Sequence, residues 1–126
     1  MQEYQKFTSP IICEISNNGK IYTLKRGFIY YRKDKSNEII EVPEGFESDG
    51  FTNFGFNIII PKFGRGLKCA ILHDYLCEKF HQGKVSRKFA DEVFLEAMLE
   101  TKAFKKSKAY FLYFCVRTYA FFKGFL

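Results

Sequence analysis

Apolar residues recur at two different periods along this chain, and the change between them comes at Leu67. Before it, short β-branched and aromatic runs alternate with turn formers. Ile11 to Ile15 is the first run; Asn17-Asn18-Gly19-Lys20 then supplies residues that tolerate positive φ, and Ile21 to Leu24 resumes the run, which predicts a hairpin. Phe28 to Tyr31 is a second run, separated by the polar turn Lys33-Asp34-Lys35-Ser36-Asn37 from Glu38 to Val42, where Pro43 ends it. Three to five antiparallel strands follow from this pattern. Between Pro43 and Gly66 the pattern lapses into a Gly- and Phe-rich stretch with one short strand-like run, Asn57 to Ile60. So long a segment with little regular structure reads as a functional loop rather than a plain connector.

From Leu67 the period is helical. Leu67, Ala70, Ile71, Leu72, Tyr75, Leu76, Cys77 and Phe80 surround the axis, which predicts a central, nearly buried helix that Gly83 stops. Ser86 is placed to N-cap a second helix from Arg87 to about Thr101, with Ala90, Val93, Phe94, Ala97 and Met98 on its apolar face. Lys102 to Lys108 reads as a basic connector, and an aromatic helix from Ala109 to Leu126 closes the chain. The expectation is a single α+β domain over residues 1–126: an N-terminal antiparallel β-sheet packed on an antiparallel helix pair, plus the aromatic C-terminal helix. A sheet curled into a partial barrel with the helices at one end is the alternative.

Composition narrows the class. At 126 residues and 47% hydrophobic, the chain has enough apolar surface for one core without metal or disulfide staples. Cys13, Cys69, Cys77 and Cys115 lack CxxC spacing, which points to reduced, mostly buried thiols rather than a zinc site or disulfide framework. The opening MQEYQKFTSP has no charged n-region followed by an apolar h-region, so no signal peptide is expected. Arg117 and Lys123 interrupt the apolar C-terminal stretch, and a charge near a bilayer centre costs at least ~2.5 kcal/mol, which argues against a spanning helix. Two placements of that helix stay open. It is either an ordinary core helix, or an interfacial one making peripheral membrane contact through Tyr110, Phe114, Phe121 and Phe125, with Lys108, Arg117 and Lys123 at head groups. The net charge is +6, densest at Lys102, Lys105, Lys106 and Lys108, with Lys84, Arg87 and Lys88 near the turn of the helix pair. No nucleic-acid motif accompanies it, so nucleic acid is not the expected partner.

Three ionisable residues lie on apolar helix faces. At 100° per residue His73 lies beside Phe80 and Asp74 between Leu67 and Cys77, so both are expected to be desolvated, and Asp91 falls among Phe94 and Met98. A buried carboxylate needs a donor, and Asp91 has two candidates: Arg87 one turn earlier, or the imidazole of His73. The trio suits a hydrolytic site in which His73 is a general base towards water, Asp91 orients it, and Asp74 ligates a cation or positions the water. It equally suits a buried polar network that locks the helix pair. Asp49, in Ser48-Asp49-Gly50, is an Asx turn or a further cation ligand, and Gly64-x-Gly66 ahead of the first helix is a weak anion-loop signal without the Lys-Ser/Thr of a P-loop.

Three segments carry a family resemblance: IIEVPEGFESDG from Ile39 to Gly50, AILHDYL from Ala70 to Leu76, and RKFADEVFLEAM from Arg87 to Met98. With Val116-Arg117 in the closing helix, their order and spacing resemble an uncharacterised phage and prophage family, domain of unknown function 1353. The chain departs from the family pattern at Phe51-Thr52-Asn53-Phe54 and at Ala120. The resemblance implies a viral or integrated-element origin and a place in the host cytoplasm or on the virion. More loosely, the His-Asp helix and the Asp of the next helix look like the catalytic pair of phospholipase A2. That likeness implies His73 as base, Asp91 as its orienter and Asp74 as a calcium ligand, with Asp49-Gly50 where those enzymes carry a Cys-Gly-rich calcium loop.

Two functions are therefore expected as alternatives. In the first, an accessory protein binds a host or virion protein through Gly50, Phe51 and Phe54 of the long loop and through Arg87, Lys105 and Lys106. In the second, a small hydrolase-like or cation-binding protein uses His73 and Asp91, with a divalent, calcium-like cation held by Asp74 and Asp49.

Overall fold

A computed structural model of the chain describes residues 12–32, 38–48 and 65–125. Five strands come first: β1 (Cys13–Ile15), β2 (Tyr22–Leu24), β3 (Phe28–Tyr31), β4 (Ile39–Val42) and β5 (Glu47–Ser48). Three helices follow: α1 (Arg65–His81), α2 (Arg87–Thr101) and α3 (Lys106–Lys123). The fold is α+β and its described strand pairs are all antiparallel.

The two hairpins form where turn chemistry and alternation predict them. In the β1–β2 turn Gly19 has φ of 75°, and the Asn18 side chain accepts from the Lys20 N–H at 3.0 Å. In the β3–β4 hairpin Phe28 opposes Val42 and Tyr30 opposes Ile40, so all four buried side chains share one face. The strands nevertheless split into two sheets, ordered β1-β2-β5 and β3-β4. After β4 the turn at Gly45, φ 88°, brings the chain back along β2, where the Leu24 N–H donates to the Phe46 carbonyl, the Leu24 carbonyl accepts from the Gly45 N–H, and β5 pairs with Tyr22 and Thr23. That pairing occupies the edge of β2 that β3 would otherwise need. Gly27 marks the crossing between the sheets, since a Cβ there would stand 2.7 Å from the Val42 carbonyl oxygen.

The helix boundaries follow local signals closely. A Schellman arrangement at Gly83, φ 78°, ends α1, with the Gly83 and Lys84 N–H groups donating to the carbonyls of Phe80 and Lys79. The Ser86 side chain accepts from the Phe89 N–H at 3.0 Å and starts α2. Two starts differ from expectation. Helix α1 begins at Arg65, so Gly66 lies inside its first turn rather than in an anion loop, and the ring of Phe104 lies where a Cβ would be, at 2.5 Å. Helix α3 begins at Lys106, which leaves only 102–105 as connector.

Helix α2 packs on both α1 and α3, so the shared neighbour is α2 and not α1. One core joins Leu24, Tyr30 and Val42 of the sheets to Ile71, Leu72, Phe94, Met98, Leu112 and Val116 of the helices. The β3–β4 hairpin is tied to α2 by polar bonds as well. The buried Tyr30 hydroxyl donates to Glu96 at 2.6 Å, and Arg32 bridges Glu96 and Glu38 at 3.0 and 2.9 Å. Among the described residues no helix is long and apolar enough to cross a membrane.

Candidate functional site

Because α1 and α2 are antiparallel neighbours, a residue one turn later on α1 meets one a turn earlier on α2. His73 faces Asp91, and its Nε2 lies 2.6 Å from Oδ1 with both side chains fully buried. Arg87, the i−4 neighbour of Asp91, donates from Nε to the same oxygen at 3.1 Å. The other oxygen, Oδ2, accepts from Nη1 of Arg117 on α3 at 2.8 Å. All three helices therefore converge on one carboxylate. The imidazole packs against Phe94 with ring centroids 4.7 Å apart, which holds its plane.

Cys77, one turn beyond His73 and half-buried, brings its Sγ to 3.5 Å from Nε2 and 3.8 Å from Nδ1. A sulfur hydrogen-bonded along the axis of one ring nitrogen would stand much further from the other. The thiol is thus beside the imidazole but not aligned for direct proton transfer to either nitrogen.

The charges explain the protonation. Burial opposes ionisation of Asp91, but His73, Arg87 and Arg117 outweigh it and hold the carboxyl below its usual range. For His73 burial again opposes the charge, while Cys77 and the hydrogen bond to Asp91 push it up to about 9. The Arg87 guanidinium lies over the rings of Tyr119 and Phe125, at 5.6 and 5.4 Å from their centroids, and its Nη2 is buried without a hydrogen-bond partner among the described residues.

The sequence-predicted residues thus separate. His73 and Asp91 meet. Arg87 is 2% exposed and belongs to this cluster, so it does not serve the basic surface. Lys105 and Lys106 are exposed where α3 begins. Asp74 is only half-buried and is not among the residues whose ligand atoms gather here. Asp49, Gly50, Phe51, Phe54, Gly64 and the run from Asn57 to Ile60 lie outside the described residues.

Two participants were not anticipated. Arg117, at lipid head groups only in the interfacial placement of the closing helix, turns inward to Asp91 because a carboxylate already buried attracts every guanidinium within reach. Cys77, expected among mostly buried thiols, is half-buried, and its i+4 spacing from His73 is the sequence signal for this contact.

The donor atoms of His73, Cys77 and Asp91 lie within 4.8 Å of one another, a grouping that invites a metal. The arrangement fits a proton instead. A cation would have to displace the proton shared at 2.6 Å and to sit beside two guanidinium groups. Calcium wants six or more oxygen ligands, and both oxygens of Asp91 are already engaged by cationic donors. Among the described residues no calcium-type oxygen cage is formed around His73.

The model of the family described as protein of unknown function (DUF1353) matches residues 22–116. The chain belongs to that family. Its matched span runs from the start of β2 to Val116 and contains His73, Cys77, Arg87 and Asp91, stopping one residue before Arg117. Comparison with curated proteins and with solved structures finds no match.

Proposed function

We propose that this DUF1353 protein is a phage- or prophage-derived accessory protein that binds a host or virion component through its surface, with the Asp91 cluster serving as the internal brace of the helices. The observation that carries this reading is the exposure of Phe114 and Phe121 on α3, 66% and 62%, beside a His-Asp pair that is fully buried. A large exposed aromatic patch marks an interaction surface, whereas a base that touches substrate needs a path to it. The test is capture from host extract and from virions, with the eluates identified by mass spectrometry. Phe114→Ser/Phe121→Ser should lose the captured component while remaining folded, and His73→Gln should retain it in proportion to folded protein. Equal capture by wild type and the double variant would refute the reading.

One observation favours the hydrolytic alternative. It is the pairing itself: an imidazole held by a carboxylate at 2.6 Å is the base-and-orienter arrangement that a hydrolytic site uses. That reading requires turnover of phospholipid or simple esters, sensitive to His73→Gln and tested with and without calcium. Absence of such turnover removes it.

A further inference from the structure

Helix α3 is sorted by side-chain type in an unusual sense. At 100° per residue Ala109, Leu112, Val116 and Ala120 fall on one line, and all four are buried. Five of its seven aromatic residues take the other side: Tyr110, Phe111, Phe114, Phe121 and Phe122 are between 48% and 78% exposed, while Tyr113 and Tyr119 are half-buried on the flanks. They cover about 18 Å of helix length at 1.5 Å per residue. Small inward residues let α3 lie close to α2, so the rings have no core to enter and form an apolar strip on the surface.

Charge decides what covers the strip. After Glu100 the chain has no acidic residue. Lys102, Lys105 and Lys106 at one end of the strip and Lys123 at the other are exposed. Lys108 lies near the first end with its ammonium 4.9 Å from the Phe104 ring centroid. Arg117, at the edge of the strip, points its guanidinium inward to Asp91 rather than outward. The acidic residue acting on α3 from α2's exposed side is Glu92, which faces the flank at Tyr113 and approaches Lys88 at 4.0 Å. The outer face is therefore uncharged along its middle and positive at both ends.

A second copy of the chain is a poor match, because either orientation of two such helices sets lysines against lysines with no acid between them. A protein groove would take a narrow line of anchors into pockets. Here the rings spread over roughly a third of the helix circumference, a broad face that a lipid interface accepts without pockets while lysines reach the head groups.

We propose that the outer face of α3 docks on an anionic membrane surface, with the aromatic side chains at the acyl boundary and the terminal lysines at phosphate head groups. This rests on the surface-binding reading above and names its partner class.

Co-sedimentation with vesicles tests it, using phosphatidylcholine alone and phosphatidylcholine containing phosphatidylglycerol. The wild-type chain should sediment with the phosphatidylglycerol vesicles, be released by high salt, and stay in solution with phosphatidylcholine. Phe114→Ser/Phe121→Ser should weaken partitioning on the order of tenfold without a lower melting temperature, since both rings are already in water. Lys105→Glu/Lys106→Glu should lose at least on the order of fivefold per lysine on anionic vesicles. Failure of the wild type to sediment with phosphatidylglycerol vesicles overturns the proposal, as does unchanged binding by the aromatic double variant. If vesicles do not bind but the double variant loses a captured host or virion protein, the lipid proposal falls and the surface-binding reading stands. A dimer in solution that the same variant abolishes would also overturn it in favour of self-association.

Discussion

Replacing Asp91 by Asn probes the brace most directly, because three cationic side chains depend on that carboxylate. The amide keeps the shape but removes the charge, and one of its two positions becomes an NH₂ group facing either His73 and Arg87 or Arg117, donor against donor. Arg117 is 21% exposed and can turn towards water. Arg87 cannot, and its Nη2 already lacks a partner among the described residues. His73 loses an anion that helps to keep it protonated. Its rise from 6.5 to about 9, which Cys77 and Asp91 share, corresponds to at most about 3 kcal/mol of folding free energy at pH values below the unfolded value, and the variant loses the Asp91 part of it. With the stranded Arg87 the expected cost is about 4 kcal/mol, within the range for breaking a buried ion pair. For a domain of this size that lowers the melting temperature by roughly 15 °C.

The pH dependence of that penalty has a definite sign. The raised His73 contributes stability that is complete below about 6.5 and is lost as pH rises through about 9. The depressed Asp91 contributes stability that is present above about 3.9 and is lost as pH falls through its lower folded value. The gap between wild type and Asp91→Asn should thus be widest between about pH 4 and pH 6.5, and should narrow above about pH 9. Scanning calorimetry across that range, on both proteins, reads it. An equal or higher melting temperature for the variant at pH 6 would refute the bracing role and indicate a carboxylate held at the expense of stability, as functional sites often are.

Three further outcomes are expected. In urea titrations Arg117→Ala should cost about 1 kcal/mol and Arg87→Ala about 3 kcal/mol, because only the first arginine borders solvent; equal costs would contradict this. Gly27→Ala should destabilise by about 2 kcal/mol, since its Cβ would meet backbone at Val42, while Gly66→Ala should become stabilising once Phe104→Leu clears the ring from its path; destabilisation of the Gly66→Ala variant in the Phe104→Leu background would show that the ring is not the obstacle. In timed iodoacetamide labelling read by mass spectrometry, the half-buried Cys77 should react well before the fully buried Cys69, whose thiol burial pushes up to about 12; equal labelling of the two thiols would contradict the burial of Cys69.

Much of the scaffold was legible from the amino-acid order because it depends on neighbours a few residues apart. The Asn-Gly turn before Ile21, the Ser86 cap, the Gly83 stop and the bounds of α2 are set by local φ preferences and short-range hydrogen bonds, and the structure reproduces them. The apolar setting of His73 and Asp91 was legible for the same reason, since helical period alone places them on apolar faces. Strand β5 was not, because two polar residues carry no alternation and pair only once the turn at Gly45 returns them to β2. Nor was the partner of Arg117, which lies 26 positions beyond Asp91 and is chosen by how α3 is rotated on α2. That rotation was undecidable from periodicity, since both faces of α3 are apolar. Packing settled it: Ala109 and Ala120 permit a close approach to α2 that no phenylalanine would allow, and the aromatic side is left facing outward.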